Sequence, residues 1–126
     1  MCDTTTTTTE KRVTIALSEE PPVAILPSEW PVIARASDHT GEHAFQANRE
    51  WFVKVREHAD GRQIVYGRNE SGPGGMPLGW RGAHAGYLLA AGTADATVRA
   101  IRRVAGVLGE DAIADKVIAD LPARKL

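Results

Sequence analysis

The chain has 126 residues, 43% of them hydrophobic, 25% charged and 6% aromatic, with a formal net charge of −1. That length fits one domain and hardly two, and the composition excludes wholesale disorder, collagen-like repeats and a disulfide-dense scaffold. A charge so near zero argues against strong nonspecific attraction to nucleic acid or anionic lipid, and no apolar run approaches the roughly 20 residues that cross a bilayer.

The charge is unevenly spread. Residues 1–48 sum to −4, residues 49–103 to +4 and residues 104–126 to −1. The middle is mildly basic and the ends are acidic. Cys2 is the only cysteine, so neither an intrachain disulfide nor a thiolate zinc cluster is available. The opening MCDTTTTTTEKR has neither the basic stretch nor the apolar core of a secretory signal. The expected compartment is the cytoplasm.

Threonine occupies positions 4–9 without an apolar partner. Residues 1–10 therefore read as a disordered tail, with an edge strand of β-branched residues as the alternative. A single domain is expected over residues 11–122, with 123–126 a second tail. Val13, Ile15 and Leu17 alternate with Thr14 and Ala16, the period of a half-buried strand. Glu19-Glu20-Pro21-Pro22 stops it, and a second short apolar run follows at 23–26. Pro27 and Pro31 bracket a helical turn or tight corner, and residues 32–37 read as another strand.

A turn is expected over Asp38, His39, Thr40, Gly41 and Glu42, and residues 45–48 are ambiguous. Residues 49–58 give the clearest strand. Trp51, Val53 and Val55 fall on one face, and Phe52, Lys54 and Arg56 on the other. Asp60-Gly61 then separates it from the run 62–68, the strongest hairpin signal in the chain because both residues tolerate positive φ. Nine of the twelve glycines lie between Gly61 and Gly92, which makes residues 71–77 a loop on composition. Residues 80–89 read as a return to the sheet.

The last third reads as helical. Val98, Ile101, Val104, Ala105 and Leu108 recur at helical spacing, Thr93 or Asp95 can cap the start, and Gly109 suits a left-handed stop. A second helix opens at Glu110-Asp111, with Ile113, Val117, Ile118 and Leu121 as its apolar stripe. Strands first and helices last argue for α+β: an antiparallel sheet of about four to six strands with two C-terminal helices packed on one face. The other face is expected to stay open to water.

That open face carries the first functional candidate. Phe52, Lys54 and Arg56 share it, the hairpin partner brings Arg62 and Arg68, and Trp80 and Arg81 follow. Aromatics for stacking and cations for phosphate suit single-stranded nucleic acid, while interleaved Glu50, Glu57 and Asp60 suit an ordinary solvated face. Two helices about a glycine are also the pattern of a helix-turn-helix, but Glu110, Asp111, Asp115 and Asp120 would repel phosphate. The basic side of the first helix, Arg99, Arg102 and Arg103, suits instead the acidic second helix or a partner.

His39 and His43 stand four apart, but Gly41 between them makes a turn rather than a chelating helix, so no metal is expected. Residues 72–75 lack the Gly-Lys-Ser/Thr of a phosphate loop, and no nucleophile motif is present. No cofactor is expected and the reading leans away from catalysis.

The runs KVREHADGRQIVYG from Lys54, GPGGMP from Gly72 and VRAIRRVAG from Val98 resemble small uncharacterised proteins of proteobacterial plasmids and integrated elements. The resemblance implies a bacterial, mobile-element setting and no residue role. The leading expectation is thus a non-catalytic cytoplasmic binding module. Its contacts would be Phe52, Lys54, Arg56, Arg62, Arg68, Trp80 and Arg81, on a host or element protein rather than nucleic acid, with no membrane partner and with homodimerisation open to an exposed sheet. The alternatives are a single-stranded nucleic-acid binder using that face, and a small enzyme with a site under residues 72–79 lined by Arg81 and His84.

Overall fold

A computed structural model describes residues 10–40, 47–73, 81–109 and 111–122. The expectations for the threonine run, for Gly41 and Glu42, for the loop at 74–79, for Trp80 and for the tail at 123–126 lie outside the described residues.

Six strands precede two helices, and the class is α+β. β1 (Val13–Ile15) and β2 (Val23–Ile25) pair antiparallel as a small separate sheet. β3 (Val32–Thr40), β4 (Ala47–Glu57), β5 (Gln63–Pro73) and β6 (Arg81–Leu89) form an antiparallel sheet in sequential order. α1 (Ala94–Leu108) and α2 (Asp111–Asp120) pack together on one of its faces. The β4–β5 hairpin turns where Asp60-Gly61 predicts it, with Gly61 at φ 95°, a value costly for any residue with a Cβ.

Two strands outrun their side-chain pattern. Asp38, His39 and Thr40 do not turn but pair with Trp51, Glu50 and Arg49. Ser71, Gly72 and Pro73 do not begin a loop but pair with Arg49, Asn48 and Ala47. Backbone ladder bonds continue these strands past the point where apolar alternation ends.

Odd-numbered residues in the middle of β4 and β5 face the helices. Trp51, Val53, Val55 and Val65 join Ala34 and Ala85 against Ile101, Val104, Ala105, Leu108, Ile113 and Val117. The Thr93 hydroxyl accepts the Ala96 N–H at the start of α1, and Gly109 ends it at φ 82°. Of the basic side of α1, Arg102 alone among the described residues meets the acidic second helix, at 3.6 Å from Asp115, while Arg103 turns to Glu19 of the hairpin layer.

The opposite face is not left open. The β1–β2 hairpin and the corner after it lie across its middle, where Ile15, Leu17, Ile25 and Trp30 bury Ile64 and Tyr66. Two features hold this second layer close. Ser18 donates its N–H to the Gly86 carbonyl at 2.9 Å and accepts the Gly86 N–H on its hydroxyl at 3.1 Å. A Cβ at position 86 would strike the Ala16 carbonyl, so the approach requires glycine.

Candidate functional site

Strand register sets the cationic face in rows. Ser37, Phe52, Arg68 and His84 lie side by side across β3 to β6. The next row holds Arg35, Lys54, Tyr66 and Gly86, and the one after it Arg56, Ile64 and Leu88. The hairpin layer covers the third row and part of the second.

What remains exposed centres on Phe52, itself half-buried. Lys54 Nζ lies 5.1 Å from its ring centroid and the Arg68 guanidinium carbon 5.6 Å, while Tyr66 meets the ring edge-on at 5.9 Å. Both cations are within range of the negative π-face. Burial first, and then the positive charges of Arg56 and Arg35, hold the Lys54 ammonium below its ordinary range. Like charges that depress a lysine pKa mark a locally positive field. Beside Phe52 a cleft of about 240 Å3 runs between β1 and the sheet, lined by Thr14, Ile15, Tyr66, Arg68 and His84 among others.

The structure therefore brings together three of the anticipated contacts, Phe52, Lys54 and Arg68. It adds Arg35 from β3 and His84 from β6, which a reading strand by strand misses because only the register makes them neighbours. The available signal was the alternation of a charged Arg35 with Ala34 and Ala36, which on a strand sets the charge on the opposite face from the alanines.

Arg56 stands corrected. It is 9% exposed, and its guanidinium is committed inside the fold. Nε donates to the Tyr66 hydroxyl at 2.9 Å and Nη1 to the Trp30 carbonyl at 2.8 Å. It fastens the hairpin layer to the sheet and is not presented to a partner. Arg62 is set apart at the far end of the β4–β5 hairpin. It donates from Nε to Asp60 at 2.8 Å and lies 5.0 Å from the Trp30 ring centroid. The backbone N–H of Arg62 also donates to Asp60 at 3.0 Å, the main reason that this carboxyl is held below its usual range. Arg62 braces a turn, with the hairpin layer between it and Phe52.

Arg81 opens β6 opposite Ser71, with its side chain outside the described set, as is all of Trp80. Among the described residues no three His, Cys, Asp or Glu side chains gather as metal ligands, and no helix is long and apolar enough to cross a membrane. No protein-family model, no curated protein sequence and no solved structure matches the chain.

Proposed function

We propose that the chain is a non-catalytic binding module that holds an acidic segment of a partner protein on the part of the sheet face beside the β1–β2 layer. The observation that carries this reading is the cationic cluster around a half-buried aromatic: Phe52 flanked by Lys54 and Arg68, with Arg35 adding to the positive field at Lys54. A carboxylate entering there relieves repulsion already present among the cations, and an apolar neighbour finds the exposed part of Phe52. Protein is favoured over nucleic acid because cations already lie against the Phe52 ring, where a base would have to stack, and because the exposed Glu50 lies one row away.

The test compares a labelled deca-glutamate peptide with a deca-thymidine strand, on wild type and on Arg35→Glu/Lys54→Glu. The expected result is peptide binding that the double substitution weakens about tenfold or more, which is about 1.4 kcal/mol. Equal binding of the peptide by both proteins overturns the reading. Preference for the oligonucleotide, with affinity falling steeply in salt, replaces it by single-strand recognition.

A further inference from the structure

β6 is an edge strand, and beyond Gly86 nothing among the described residues pairs with its outer side. Both main-chain groups of Gly86 point outward to Ser18. Antiparallel pairs alternate, so two residues on, the Leu88 N–H and C=O point outward as well. They open into a groove of about 430 Å3 between the sheet edge and α1, floored by Tyr87, Leu88 and Leu89, walled on the helix side by Ala96, Arg99, Ala100 and Arg103 and bordered on the hairpin side by Glu19 and Glu20, so that only its helix side favours a carboxylate. At the Gly86 end, Arg103 crosses to Glu19 at 3.4 Å and lies 4.5 Å from the Tyr87 ring centroid, which closes the groove there. Arg99, one turn earlier on α1, is exposed and makes no ion pair or hydrogen bond among the described residues. The other edge offers less, because Asp120 of α2 already accepts the outward Arg35 N–H of β3 at 2.9 Å.

We infer that this groove takes an extended peptide segment of a partner protein as an added strand on β6, with an acidic side chain set against Arg99. Main-chain bonds to Leu88 give the affinity and the alternation of side chains gives the selection. Residues of the added strand that point to the helix side meet Arg99, so the segment carries a carboxylate at such a position. This site is separate from the Phe52 surface and stands whether or not that surface binds.

The probe is a fluorescein-labelled heptapeptide of alternating valine and glutamate, titrated into the full chain carrying Lys54→Glu so that the sheet face is disabled. Anisotropy should rise on binding, and the Leu88 amide should exchange more slowly with solvent. Arg99→Glu should weaken binding about tenfold or more, as should Leu88→Pro, which removes an N–H that the β5–β6 ladder does not use. An unchanged fold by circular dichroism accompanies each variant. Absence of binding up to about 1 mM peptide overturns the inference, as does binding that neither variant weakens. A dimer by light scattering in which Leu88 is protected without peptide overturns it in favour of a second copy on the same edge.

Discussion

Arg56 is a cation whose resolved partners are neutral, a phenol and a main-chain carbonyl, and both belong to residues that close the second layer. Replacing it by alanine leaves the Trp30 carbonyl and the Tyr66 hydroxyl without their donors in a buried place. Each unmet group costs about 1–3 kcal/mol, so Arg56→Ala should lower stability by about 2–4 kcal/mol, read from the urea midpoint at constant m. Lys54 behaves oppositely. Its pKa is lower in the folded chain than the ordinary 10.5, so the native state holds this proton less tightly than the unfolded one. The cost is carried in full below the native value, and it is relieved as pH rises through that value towards the ordinary one. Lys54→Met should therefore raise the neutral-pH urea midpoint, by under about 1 kcal/mol at so accessible a site, and should abolish the contribution of Lys54 to any alkaline rise in stability.

At the scale of elements, the hairpin layer depends on a close backbone approach that one atom can spoil. Gly86→Ala drives a Cβ into the Ala16 carbonyl, with main chain on both sides of the clash. The expected loss is about 1–3 kcal/mol, with faster exchange of the Ser18 amide, whose acceptor is Gly86, and little change at the α1 amides. The same element marks the limit of what the sequence displays. Alternation at Trp51, Val53 and Val55 announces β4, and helical spacing from Val98 to Leu108 announces α1, because each carries a full apolar face. β1 and β2 have three residues apiece, and the single buried residue in each cannot say which surface buries it. The placement of that layer decides everything at the candidate site. In sequence, Phe52, Lys54 and Arg56 are three equivalent outward positions on one strand. Only the hairpin, arriving from thirty residues upstream, divides them into a half-buried ring, a strained ammonium and an interior anchor. The extension of β3 through Asp38 to Thr40 was hidden for a different reason: polar side chains conceal a ladder made by main-chain groups.

At the scale of the molecule, one sheet serves two cores of unequal size. Among the described residues the helix side buries fourteen side chains in one cluster and the hairpin side six. β4 and β5 are common to both, so unfolding them dissolves everything. The hairpin layer is joined to the rest by few links, chiefly Ser18 with Gly86, Arg56 with Trp30, and Arg103 with Glu19. A layer with that much less buried apolar area opens at lower cost than the whole. The two buried tryptophans report the two sides separately, Trp30 in the hairpin cluster and Trp51 under the helices. Amides of Thr14 and Ala24 should exchange through an opening cheaper than that of Val53 and Val65 by an amount on the order of 2–5 kcal/mol. In step with this, single-tryptophan chains should show the Trp30 signal shifting at lower urea than Trp51. Coincident transitions and equal protection on both sides would mean that the layers unfold as one, and that Arg56 couples them more tightly than their areas imply. Early opening has a functional consequence, since the hairpin borders both the cleft beside Phe52 and, through Glu19 and Glu20, the groove along β6. A ligand at either place that touches the hairpin should raise the protection of Thr14 and Ala24 while leaving Val53 unchanged.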